Sequence, residues 1–191
     1  MQKKADWIIK KVNEISERNS KLINRQFVHG EKLLYLGKEY SLMIVEKDLC
    51  KPEVLIREDT MTVYISKGLS EESRKQAIKE ALVKWYRQRF ADIVKERLDE
   101  YSVQLKAAPC KVVIKDQKTR WGSCSKKGNI NLNWRLIMTP IEIIDYVVVH
   151  ELCHLKIMNH SKDFWNLVES ILPDYYERRK WLKVNENRLV I

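Results

Sequence analysis

Three of the four histidines in the chain, His150, His154 and His160, fall within one short stretch. His150 and His154 are four residues apart, so on an α-helix they share a face, one turn from each other. Glu151 follows the first of them. Two imidazoles in this relation bind zinc, and the glutamate between them acts as general base on the water that the zinc activates, which is the chemistry of an H-E-x-x-H segment. His160 lies six residues past His154. Asn159 tolerates left-handed backbone better than most residues, so a helix stop there would bring His160 back over the metal. Three nitrogens at roughly 2.0–2.1 Å from one Zn2+ leave the fourth tetrahedral position open, as in a catalytic rather than a closed structural site. Cys153 points to another face of the helix and reads as packing. Glu142 and Asp145 lie upstream and are candidate hydrogen-bond partners of the ligating rings.

The helix that carries this stretch has to be positioned. Thr139-Pro140-Ile141-Glu142 predicts its start, with threonine as N-cap, proline at N1 and glutamate at N3. Ile143, Ile144 and Val147 to Val149 would by themselves favour a strand, but the cap and the histidine spacing decide for a helix, apolar nearly all round and therefore buried. Before it, residues 111–115, 119–125 and 130–134 read as three strands with a turn at 126–129. Gly122, inside the second, implies a bulge or a close backbone approach. Ser70 predicts the N-cap of a long helix running to about Leu105. Two hairpins are expected upstream, 32–36 with 40–45 and 53–57 with 61–65. Residues 4–23 have helical periodicity. After the metal stretch, Ser161 caps a helix over 162–172, and Pro173-Asp174 separates it from a last helix over about 175–185. The fold class expected is α+β: a small antiparallel or mixed sheet packed on a buried metal-binding helix, with an N-terminal β-hairpin portion and C-terminal helices. The division expected is 1–68 for the N-terminal helix and hairpins and 69–191 for the catalytic part, the two forming either separate units or one continuous domain.

The chain has 191 residues, of which 45% are hydrophobic, enough for a sizeable core. No run of about 18 apolar residues predicts a membrane span. The N-terminus lacks the apolar stretch of a signal peptide, so a cytoplasmic location is the expectation. Cys50, Cys110, Cys124 and Cys153 form no C-x-x-C pair and are expected to be reduced and mostly buried. The net charge of +10 favours polyanions and allows weak association with nucleic acid, although the basic residues are dispersed.

The spacing H-E-x-x-H-x5-H is that of metzincin proteases, but Ile157 stands where their glycine would, and no methionine follows Met158. The chain instead resembles the YgjP-like metallopeptidase domain family, relatives of the SprT-like zincins. The resemblance is carried by Asp116-Gln117-Lys118-Thr119-Arg120-Trp121-Gly122-Ser123-Cys124-Ser125, by Asn131-Leu132-Asn133-Trp134-Arg135-Leu136, by Asp145 to His154, and by Asn159-His160-Ser161 with Phe164-Trp165. It implies a zincin-like catalytic domain, with metal ligands at His150, His154 and His160 and a base at Glu151. Three functions compete. The first is a zinc-dependent hydrolase of peptidase type, acting on peptide or protein. The second is a metal-dependent nucleotide pyrophosphatase acting on UTP, an activity the resemblance also implies. Arg120 and Trp121 are the candidate substrate-binding residues: Arg120 with Gly122 and the hydroxyls beside it could hold a phosphate, but the favoured reading of the segment is a hairpin strand that lines the cleft with Trp121 in the core. The third is a nucleic-acid-binding module with a structural metal site, against which an intact Glu151 argues.

Overall fold

A 35-residue helix, α1 (Glu71–Leu105), is the spine of the molecule. The computed structural model describes residues 25–117 and 119–191; the helix expected over 4–23 lies outside them. Ser70 caps α1 as expected, its hydroxyl accepting from the Ser73 amide at 3.3 Å, with Glu71 and Glu72 in the positive first turn. Lys106, in left-handed backbone, ends it. Ile78, Leu82, Tyr86, Phe90, Val94, Leu98, Tyr101 and Leu105 recur every three or four residues along one buried face.

Against this face lies a four-stranded sheet, β1 (Lys32–Tyr35), β2 (Lys38–Lys47), β3 (Glu53–Arg57) and β4 (Thr60–Ser66), in the order β1-β2-β4-β3. Both expected hairpins form. They are joined by a parallel pairing of β2 with β4, which sets Leu42 beside Met61 and Ile44 beside Val63. The first hairpin turns on Leu36 and Gly37, both at positive φ, the two-residue turn that matches strand twist. Its tip docks on the start of the histidine helix: the Leu36 amide donates to the Ile137 carbonyl at 2.8 Å, and a Cβ on Gly37 would stand 2.8 Å from Pro140 Cγ.

A second sheet consists of β5 (Lys111–Lys115), β6 (Gly122–Cys124) and β7 (Asn129–Asn133) in the order β5-β7-β6, with β5 parallel and β6 antiparallel to β7. A 3-10 helix (Trp134–Met138) leads into α2 (Ile141–Cys153), then α3 (Lys162–Ile171) and α4 (Tyr175–Asn185). The architecture is α+β with two small mixed sheets. Among the described residues, no helix is long and apolar enough to cross a membrane.

Four local expectations are corrected. Thr139 does not cap α2; its buried hydroxyl donates to the Leu136 carbonyl at 2.8 Å and closes the preceding 3-10 turn, leaving Pro140 at the N-cap position. Asn159 does not end the helix. α2 stops at Cys153, and tight turns over His154 to Ile157 reverse the chain, with Asn159 absent from the left-handed residues. Asp145 faces α1, within 3.6 Å of Arg97 and bonded to Tyr101, rather than the histidine rings. The cysteines are all free, but only Cys153 is fully buried, because Cys50 and Cys110 sit in connecting segments at the surface.

Candidate metal centre and its cavity

α2 is buried on most of its circumference, and its last turns present His150, Glu151 and, at the C-cap, His154. His154 keeps right-handed helical backbone, so the one-turn relation to His150 survives although the regular helix has ended. The turns after it carry His160 back. His160 Nε2 lies 3.0 Å from His150 Nε2 and 3.1 Å from His154 Nε2. Three nitrogens bound to one tetrahedral zinc at its usual distance stand about 3.3 Å apart, so this spacing is that of a ligand set.

The protonation of the rings agrees. A carbonyl oxygen only accepts, so His154 Nδ1, 3.1 Å from the Ile157 carbonyl, carries a proton, and the bond turns Nε2 toward the other two histidines. Burial, followed by the neighbouring rings His154 and His160, depresses the His150 pKa to about 3; burial and His154 also lower that of His160. Neutral imidazoles with converging lone pairs repel each other until a cation lies between them. The residues fit a divalent ion.

α3 supplies the floor. Phe164, fully buried, stacks on His154 at 4.5 Å and meets His150 and His160 edge-on at 5.0 and 4.8 Å. Trp165, the next residue, stacks on His160 at 5.5 Å. This packing fixes the ring planes. His150 Nδ1 is buried and has no hydrogen-bond partner among the described residues.

Glu151 is 4% exposed, and its Oε2 has no hydrogen-bond partner among the described residues. Burial raises its pKa to about 8, against a lowering contribution from Arg120. It is held by backbone. A Cβ on Gly122 would lie 2.8 Å from both Cγ and Cδ of Glu151 and closer still to Oε1, so the carboxyl occupies the space that a side chain on β6 would fill. The close approach expected at Gly122 is therefore to Glu151.

Asn133, 2% exposed at the end of β7, anchors the loop before β6. Its Nδ2 donates to the carbonyls of Gln117 at 2.7 Å and Arg120 at 3.1 Å, its amide donates to the Trp121 carbonyl at 2.8 Å, and its Oδ1 accepts from the Arg135 amide at 3.2 Å. Arg135 in turn is paired with Asp116. The loop is thereby pinned where Arg120 and Trp121 line a cavity of about 380 Å³ that opens from His150 and Glu151. Tyr146, Val147, Arg179, Leu182, Lys183 and Glu186 form the rest of its wall with Thr119 and Gly122. Tyr146 and Arg179 were not singled out from sequence. Tyr146 precedes His150 by four residues, the same-face spacing that links the two histidines, and was legible by that rule. Arg179 lies in a charged run on α4, with no local signal that it returns to the site.

A family model described as YgjP-like, metallopeptidase domain, matches residues 1–185. No curated protein matches the chain. Among solved structures, the metallopeptidase zymogen abylysin of Pyrococcus abyssi is 28% identical, covering 47% of this chain and 92% of its own, with a TM-score of 0.43. The metallopeptidase zymogen jannalysin of Methanocaldococcus jannaschii is 26% identical, covering 51% of this chain and 97% of its own, with a TM-score of 0.42.

Proposed function

The chain belongs to the YgjP-like metallopeptidase domain family, and on that premise we propose that it is a zinc-dependent peptidase that hydrolyses peptide bonds in extended protein segments. The observation that carries this reading is the convergence of His150 Nε2 and His154 Nε2 on His160 Nε2, at 3.0 and 3.1 Å, beside a Glu151 Oε2 that has no hydrogen-bond partner among the described residues. His150, His154 and His160 hold the ion; three protein ligands rather than four is the count of a catalytic site. Zinc bound there supplies Lewis acidity, polarising the scissile carbonyl and making water acidic enough to attack near neutral pH.

The remaining work falls to the chain. Glu151 accepts a proton at Oε2 and returns it to the leaving nitrogen. Its proton affinity, raised by burial to about 8, suits both halves of that exchange near pH 7. β6 is an edge strand, and its unpaired backbone groups can take an extended peptide as one more strand. Trp121, Tyr146, Val147 and Leu182 give the cavity an apolar wall that excludes water from a bound side chain.

The test is cleavage of an unfolded protein by zinc-loaded enzyme, with chelated enzyme and Glu151→Gln alongside. Glu151→Gln is expected to keep its zinc and lose about 10²- to 10⁴-fold in rate. Cleavage that is equal in all three samples contradicts the proposal. Nucleoside triphosphates belong in the same panel: pyrophosphate release that needs Glu151, without peptide cleavage, moves the chemistry from the amide to the phosphoanhydride.

A further inference from the structure

The cavity beside His150 and Glu151 has an uneven charge. Among the described residues, Arg120, Arg179 and Lys183 line it together with the acids Glu151 and Glu186. Several surface arginines elsewhere are paired: Arg74 with Glu46, Arg89 with Asp92, Arg97 with Glu100 and Arg188 with Glu39. The contrast is sharpest between neighbours on α4. Arg178 is bonded to Asp174 at 2.9 Å and donates to the Glu142 carbonyl at 2.9 Å. Arg179, next to it, has no ion-pair partner among the described residues, and neither has Lys183, while the charge of Arg120 acts on Glu151.

Arg179 is nonetheless held. Its guanidinium lies 4.9 Å from the ring of Trp165, which stacks with His160 at 5.5 Å and with Tyr175 at 5.3 Å. A guanidinium on an aromatic face keeps its edge free for a planar partner, and part of the ordering entropy is already spent. Arg179 lines one cavity with His150, Glu151 and Tyr146, so a group bound to it lies next to the candidate metal centre. Tyr146, Val147, Leu182 and Trp121 offer apolar surface for a short carbon stem. About 380 Å³ is room for a side chain and its water.

We propose that this cavity is the subsite for an acidic side chain, glutamate or aspartate, next to the scissile bond, and that Arg179 is its specificity-determining cation, with Arg120 and Lys183 adding to the field. This rests on the peptidase reading above and names the substrate that reading leaves open. A carboxylate satisfies the arrangement because a guanidinium edge binds it through two parallel hydrogen bonds, whereas an amide of the same shape brings no charge.

Binding is measured apart from turnover, so that the two ideas can fail separately. Zinc-loaded Glu151→Gln protein is titrated with acetylated, amidated peptides that differ only in glutamate, glutamine or lysine at the residues flanking one bond. At one of these positions the glutamate peptide is expected to bind about tenfold tighter than its glutamine twin, the worth of one charge-assisted pair. That advantage shrinks as salt is raised. Adding Arg179→Glu inverts the order in favour of lysine, and adding Arg179→Lys keeps its sign. Equal affinity for the glutamate and glutamine peptides overturns the subsite, as does an unchanged glutamate preference after Arg179→Glu. Wild-type enzyme that leaves the Arg179-dependent peptide uncut removes the peptidase reading and keeps the subsite; cutting without acidic preference does the reverse. A nucleoside triphosphate that displaces the glutamate peptide and is itself hydrolysed overturns the assignment to a carboxylate.

Discussion

A hydrogen in place of a methyl group at position 122 lets Glu151 stand against the backbone of β6. Gly122→Ala is therefore expected to displace the carboxyl without touching a metal ligand. Misplacing a catalytic group by about 1 Å costs about 100-fold in rate, so activity should fall by that order while the zinc content stays that of wild type. Loss of zinc together with activity would mean that the glycine supports the histidines instead. Residues are also where sequence carried most. That His150 and His154 share a face, with Glu151 beside the first, was legible because helical periodicity is a fixed geometric rule; His160 was expected to return through a stop at Asn159 that does not form, and Arg120 and Trp121 do line the cavity. Gly122 announced a close approach but not its partner, since that partner arrives from another element. Arg179 stayed hidden because its position is set by the packing of α4, which no local pattern encodes.

The elements around the histidines act as clamps, and each clamp can be released. Asn133 holds the loop that carries Arg120 and Trp121 through bonds to two carbonyls. Asn133→Ala leaves those carbonyls short of partners, which costs about 1–3 kcal/mol; a lower melting temperature and faster hydrogen exchange over residues 119–122 are the expected signs. Phe164 lies against all three rings, and Phe164→Ala should cost about 3–5 kcal/mol and weaken zinc binding when the protein competes with a chelator. A second tie joins α2 to α1 through Asp145, Arg97 and Tyr101. Burial raises the Asp145 pKa above its unfolded value in spite of Arg97. The folded state then holds this proton more tightly than the unfolded chain. The stabilisation is full below the ordinary aspartate pKa of about 3.9 and is lost as pH rises through the folded value. Melting curves should accordingly show wild type losing ground to Asp145→Asn as pH climbs from about 4 toward neutrality; a pH-independent gap would contradict this. The elements themselves were readable from caps, turns and periodicity. Their ends were not. Thr139 and Asn159 have the right chemistry for a cap and a stop, but tertiary packing used Thr139 to close a 3-10 turn and ended the helix early at Cys153.

Across the whole molecule, two sheets and α1 enclose the histidine helix from different sides. The hairpin tip at Gly37 meets its start, and Gly122 meets Glu151 near its other end. The parallel pairing of β2 with β4 could not be read from hairpin signals, which are local, because its register is fixed by burial against α1. In such an arrangement an ion bound by residues from α2 and from the segment that follows it ties distant parts of the chain together. Metal that binds only the folded state stabilises it by about 4 kcal/mol at a thousandfold excess over its Kd. Chelation should therefore lower the melting temperature reversibly, with recovery on adding zinc. X-ray absorption at the zinc edge on the loaded protein examines the ligand set itself. One zinc per chain with three imidazole nitrogens at about 2.0–2.1 Å is the predicted result, with one of the three lost in His160→Ala. A sulfur in the first coordination shell, or protein that retains no zinc at neutral pH, would contradict it.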